Sequence, residues 1–210
     1  MRDIYKGALK FLAVVVVLVA IAAGILKLFF VDIVVVGHNA MAPTMIAGDR
    51  LLVWRSGGDY RMGDTLLCPH PSQPGRYVLG RVMGRPGATL EIARGQLRIN
   101  GQAPDQDSQA TMAFRDHVTG HTSRMRYAVE DVLGTTHGIF EREGRPLHMR
   151  PHRVRGGVFL LSDNRTFVGE DSRSFGEVVP STCIGRVFMR LTPSEQTPPE
   201  LDNGYLDIVR

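Results

Sequence analysis

Tyr77-Val78-Leu79-Gly80-Arg81-Val82-Met83-Gly84-Arg85-Pro86-Gly87 reads as one short β-strand running into a Gly/Pro stop. The same pattern recurs on both sides of it. Asp32–Val36, Arg50–Arg55 (RLLVWR) and Asp64–Cys68 precede it, and Thr89–Ile92, Gln96–Asn100, Gly157–Ser162 and Ile184–Leu191 follow. Gly or Pro separates most of these runs, and Asn100-Gly101 is a tight-turn signal. Closely spaced short strands with such punctuation predict a mainly β domain, a barrel or a sandwich-like fold.

A different pattern comes first. From Leu9 to Phe30 the chain is almost wholly apolar (LKFLAVVVVLVAIAAGILKLFF). A bilayer core needs about 20 such residues in a helix, and Lys10 and Lys27 sit near the ends of the run, where their stems reach the headgroups. Arg2, Lys6 and Lys10 lie on the N-terminal side, which predicts a cytoplasmic N-terminus (1–8), a transmembrane helix (9–30) and a main domain outside the cytoplasm. The alternative reading is a cleaved signal peptide with Ala20-Ile21-Ala22 as its processing site.

Net charge follows the same division. Of the formal +4, the first 30 residues supply +3 through Arg2, Lys6, Lys10 and Lys27 against Asp3, leaving the remainder near neutral. A nucleic-acid partner is therefore not expected, despite a pI of about 9.4. Cys68 and Cys183 are the only cysteines. An exported domain permits a disulfide, and two buried free thiols fit the sequence equally well.

The segment 102–155 is polar and holds His117, His121, His137, His148 and His152. It reads as an insertion of loops, with a hairpin as its most regular element. The pairs His117/His121 and His148/His152 have a helical zinc-ligand spacing, but Gly120 and Pro151 interrupt them, so no metal site is expected. Arg142, Arg145, Arg150, Arg153 and Arg155, partly offset by Glu141 and Glu143, read as a solvated loop, the alternative being contact with anionic headgroups or an acidic partner. The residues from Thr192 to the end, with Pro193, Pro198 and Pro199, read as an extended, flexible tail.

Three segments carry chemical information. Gly37-His38-Asn39-Ala40-Met41-Ala42-Pro43-Thr44-Met45 is the first, and Tyr77–Gly87 is the second. Ser162-Asp163-Asn164-Arg165, followed by Asp171-Ser172-Arg173 and Gly176, is the third. In this order behind one apolar helix they resemble the bacterial signal peptidase I family. That family has a Ser before Met-x-Pro-Thr, a Tyr-Val-Lys-Arg box ending Gly-x-Pro-Gly, and a Gly-Asp-Asn-Arg…Asp-Ser-Arg box. The resemblance implies a partly open, antiparallel β-rich domain over about residues 31–191. It implies a single-pass protein of the bacterial inner membrane, with that domain on the periplasmic side, and no cofactor. The family's activity is removal of signal peptides by a serine–lysine pair: a lysine with its pKa lowered by burial activates the serine, and backbone N–H groups with a nearby hydroxyl hold the oxyanion.

Residue by residue, the resemblance places Ala40 at the nucleophile and Gly80, directly before Arg81, at the base. Neither has a functional group. The lysines are Lys6, Lys10 and Lys27 only, all within or beside the apolar run. His38 replaces a hydroxyl that often stands two residues before the serine, and Gly169 replaces a supporting serine. One extra residue separates Tyr77 from the lysine position. Met41, Pro43, Thr44, Arg81, Asp163, Asn164, Arg165, Asp171, Ser172 and Arg173 match the framework. The implied function is a non-cleaving homologue that binds signal peptides, preproteins, an active signal peptidase or secretion machinery. The alternative is an active peptidase with displaced groups, His38 being the nearest candidate for a base.

Overall fold

The computed structural model describes residues 2–55, 60–142, 144, 147–201 and 203–209. Arg145 and Glu143 of the arginine-rich stretch lie outside these residues. Helix α1 (Arg2–Phe29) comes first. Within it, Tyr5–Phe29 is long and apolar enough to cross a membrane, and its large apolar side chains, Phe11 and Leu18 among them, are uncovered by the rest of the chain. Such a surface needs a non-aqueous surrounding.

α1 passes into β1 (Val31–Val35), which pairs antiparallel with β2 (Arg50–Trp54). The remaining strands of the main sheet are β3 (Thr65–Pro69), β4 (Tyr77–Gly84), β11 (Phe159–Leu161) and β12 (Gly185–Thr192), in spatial order β1-β2-β12-β3-β4-β11. Period-2 alternation drives the packing. In β2, Leu51 and Val53 point inward and meet Met41, Met45 and Leu79. In β4, Val78 and Val82 turn to the opposite face and pack on Leu66 and Leu160. β5 (Thr89–Ala93), β6 (Gln96–Ile99) and β10 (Met149–Arg153) make a second sheet, whose Leu90, Ile92 and Leu97 pack on Met83 and Phe159. All strand pairings are antiparallel, as expected. Asn100 and Gly101 both have positive φ (53° and 80°), the turn their sequence signals.

Cys68 on β3 is bonded to Cys183, so of the two readings left open by the sequence the structure takes the disulfide. Trp54 stands at the β2 end nearest the helix, 38 % exposed, stacked on Phe30 (5.7 Å between ring centroids) and edge-on to Phe188 (6.4 Å).

Two expectations need correction. The insertion is far more regular than loops with a hairpin: β7 (Asp105–Arg115), β8 (Thr122–Val132) and β9 (Thr135–Arg142) form a continuous three-stranded sheet. Nearly every β7 side chain is exposed or only half-buried, so the strand carries no hydrophobic alternation and is held by its backbone ladder to β8. The stretch expected to be a flexible tail folds back. Ser194 N–H donates to Asp49, Leu201 and Val209 are buried, and β13 (Asp207–Ile208) pairs with β12.

Candidate active site

The site is built around a tight 3-10 turn, Asn39–Met41, between β1 and β2. His38 caps it. The Ala40 N–H donates to His38 Nδ1 at 3.3 Å, so this nitrogen is the acceptor and the proton of the neutral ring resides on Nε2. Nε2 faces Glu170 Oε2 at 3.5 Å, and Arg76 Nη2 holds Glu170 Oε1 at 2.6 Å. The ring also stacks on Phe167 (5.7 Å). Burial pushes the His38 pKa below its ordinary value, although Glu170 pulls the other way. At neutral pH the ring is thus uncharged and its one lone pair is occupied.

Asn39 ties this turn to the insertion: its Nδ2 donates to Asp116 (2.7 Å) in the β7–β8 turn, and its Oδ1 accepts from Ala47 N–H (2.8 Å). Ala40 is fully buried, and its carbonyl accepts from Asn164 N–H at 2.9 Å. Met41 and Met45 lie in the core, and a cis Ala42–Pro43 bond follows. Thr44 Oγ1 donates to the Gly138 carbonyl of β9. Position 138 suits only glycine, since a Cβ there would stand 2.9 Å from Pro43 Cγ and from the Tyr127 ring.

On β4, Gly80 and Arg81 face opposite sides. Arg81 is buried and makes two parallel bonds to Asp163 (2.8 and 2.7 Å) plus one to the Gly63 carbonyl. Burial would raise the Asp163 pKa, but Arg81 outweighs it and holds the carboxyl below its ordinary value. At Gly80 a Cβ would lie 2.8 Å from the Leu160 Cβ. The Leu160 side chain therefore occupies the space into which any side chain at position 80 would grow.

The third segment forms a rigid loop beside Ala40. Asp171 caps α2 (Ser172–Phe175) by accepting from Arg173 N–H, and it also accepts from Ser162 N–H. Arg173 grips Asp171 and donates to the carbonyls of Arg165 and Phe167. Ser172 Oγ accepts from Leu160 N–H. Gly169 N–H donates to Ser174 Oγ (3.1 Å). The framework residues named from the sequence are thus brought together, whereas Ala40 and Gly80 present only a methyl group and a hydrogen.

A cavity of about 510 Å³ opens beside this loop, lined by Phe114, Asp116, Arg142, Asn164 and Phe167 among others. Among the described residues no cluster of His, Cys, Asp and Glu has the geometry to hold a metal ion.

The signal peptidase family model (peptidase S26) matches residues 8–192. The chain belongs to the signal peptidase family. Its relatives include signal peptidase I V of Bacillus subtilis strain 168, 28 % identical over 176 residues, covering 81 % of this chain and 90 % of that protein. Signal peptidase I of Bacillus caldolyticus is likewise 28 % identical, covering 81 % and 85 %. Signal peptidase I of Pseudomonas aeruginosa is 23 % identical over 184 residues, covering 78 % of this chain and 62 % of that protein. The long apolar helix at the N-terminus and the disulfide are consistent with a membrane-anchored domain outside the cytoplasm.

Several residues around this signal peptidase-type site escaped the sequence reading. Arg190 of β12 is buried, donates to Asp49 (3.0 Å) and Asp207 (3.0 Å), and bonds the Thr44 carbonyl, clamping the first box from behind. Glu130 of β8 and His137 of β9 extend the Arg81–Asp163 pair into the insertion. His137 Nε2 lies 3.3 Å from Glu130 and 3.8 Å from Asp163, and Arg165 bonds Glu130 at 2.5 Å. Burial would raise the Glu130 pKa, but Arg165 and His137 bring it down to about 2. No local pattern marks these residues; only the packing of the insertion on the main sheet reveals them.

Proposed function

We propose that this protein is a non-cleaving, membrane-anchored member of the signal peptidase family that holds extended segments of exported polypeptides. Its N-terminus would lie in the cytoplasm and its main domain on the outer side of a bacterial inner membrane, a placement supported by the basic residues at the N-terminal end of the helix. One observation carries the reading: Ala40, at the family's serine position, has its amide N–H bonded to His38 Nδ1. The site lacks the nucleophile, and the backbone donor an oxyanion would use is already engaged. Gly80, at the lysine position, is backed by Leu160. Loss of a catalytic serine or its base costs about 10⁶-fold in rate.

The rival reading, cleavage with His38 as a displaced base, requires a free imidazole lone pair. Nδ1 accepts from Ala40, and the proton on Nε2 faces Glu170. Binding without cleavage is supported by the sheet edges. Among the described residues β1 pairs only with β2, and the ladder between β11 and β4 runs only from Arg81 to Gly84, so the outer edge of β1 has no paired strand to exclude an added one.

The test is incubation of the full chain in detergent with a preprotein. No processed product is expected, while a photocrosslinker at exposed Val35 is expected to capture the signal peptide. Cleavage abolished by His38→Ala would overturn the proposal.

A further inference from the structure

The near-neutral net charge of the main domain conceals a concentrated basic face. Residues 85–100 and 147–155 contain Arg85, Arg94, Arg98, Arg150, Arg153 and Arg155 against the single acid Glu91. These two stretches are far apart in the chain, but they form the second sheet, in order β10-β5-β6. Leu90, Ile92, Leu97 and Met149 point into the core, so alternation turns their neighbours Glu91, Arg98 and Arg150 outward. Arg98 stands directly opposite Glu91 on the adjacent strand, and Arg153 opposite Thr89. Arg94 occupies the β5–β6 turn and Arg155 the rim beyond β10. Arg94, Arg98, Arg150, Arg153 and Arg155 are all exposed. Among the described residues none of their guanidinium groups has a hydrogen-bond or ion-pair partner.

An apolar anchor point adjoins this face. At the end of β6, where alternation turns Ile99 to the core side and Arg98 outward, Ile99 lines a cavity of about 170 Å³ with Ala103, Pro104, Val132 and Leu133. Leu133 is 83 % exposed and held at φ 53° in the β8–β9 turn, a conformation a branched side chain rarely adopts. Asp131 at the cavity wall is committed internally, accepting from Gly134 N–H and Thr136 Oγ1.

We propose that the outer face of the β5–β6–β10 sheet is a docking surface for an acidic polypeptide segment carrying an apolar side chain. The unpaired arginines supply the charge complement and the small cavity takes the apolar group. Bilayer headgroups fit less well for two reasons. They offer nothing for the cavity, and the face adjoins β4 and β11, four strand spacings or about 20 Å along the sheet from β1 and the helix. This inference does not depend on whether the Ala40 site is silent.

The experiment measures fluorescence anisotropy of a labelled Glu-rich peptide containing one leucine, titrated with the full chain in a neutral detergent. Salt-sensitive binding is expected, with an affinity loss of about tenfold in R98E/R150E from two exposed charge pairs reversed. The control R50E/R115E changes net charge equally at exposed positions off this face and is expected to bind as the parent does. Replacing the peptide's leucine by serine, or Leu133→Asp in the protein, is expected to weaken binding further. Equal losses in both double variants would overturn the proposal as unspecific charge attraction. Capture by phosphatidylglycerol vesicles, but not phosphatidylcholine vesicles, with no peptide binding would overturn it in favour of a membrane surface.

Discussion

A glycine at position 80 has a consequence for any attempt to rebuild the serine–lysine pair. The Leu160 Cβ stands 2.8 Å from where a Cβ at 80 would be, and that atom is fixed to the β11 backbone. Ala40→Ser with Gly80→Lys is therefore expected to remain inactive, and the crowding to cost about 1–3 kcal/mol of stability. Denaturant unfolding and a preprotein assay would check both parts; Leu160→Ala is expected to recover the lost stability. Cleavage by the pair alone would show that β11 yields. The ion pair next to it behaves differently. Arg81 and Asp163 are almost fully buried and bonded through two parallel contacts. Removing one partner strands the other charge, so Arg81→Met is expected to cost about 3–5 kcal/mol. The double change Arg81→Met with Asp163→Leu should cost less than the sum of the singles in the same unfolding measurement.

At the scale of elements, the β7–β8–β9 sheet meets the rest of the domain through the apolar packing of Phe114, Met125 and Phe140 and through the buried charges of Glu130, His137 and Arg165. Glu130 titrates near 2 in the folded protein, against about 4.5 as its ordinary value. A carboxyl whose pKa is depressed by folding stabilises the fold above its unfolded pKa, and that stabilisation fades as pH falls through the folded one. Stability is thus expected to drop between about pH 4.5 and about pH 2. Glu130→Gln should be less stable at neutral pH, with a shallower decline over that window in acid unfolding followed by circular dichroism. This attachment also shows what the sequence concealed. β2, β4 and β12 were legible because short runs rich in Val, Leu and Met recur between Gly and Pro stops, and such runs are driven to bury their side chains. β7 was not, since its ladder to β8 is a backbone interaction that leaves its polar side chains in water. In the site, the three boxes were legible as local strings. The Asn39–Asp116 bond, the Arg190–Asp49 clamp and the arginine face each join residues distant in sequence, and no local periodicity records such a meeting.

For the molecule as a whole, the Cys68–Cys183 bond and the apolar helix point to the same compartment. The bond joins β3 to the segment leading into β12, across 115 residues that include the second sheet, the β7–β8–β9 sheet and the loop beside Ala40. Closing a loop of that length removes much of the freedom of the unfolded chain, about 4–5 kcal/mol in the chain-entropy model. Such a contribution is available only where thiols are not kept reduced, which is the side of the membrane proposed for this domain. Cys68→Ser with Cys183→Ser is therefore expected to unfold at markedly lower denaturant, by about 2–5 kcal/mol, and the parent chain treated with reductant should follow it. The two cysteines pack among Leu66, Val78 and Leu160, and Leu160 of this group fills the space at Gly80. Loosening this cluster should release Leu160. Gly80→Lys is accordingly expected to be less destabilising in the cysteine-free chain than in the parent, a non-additivity that a double-mutant cycle measures directly.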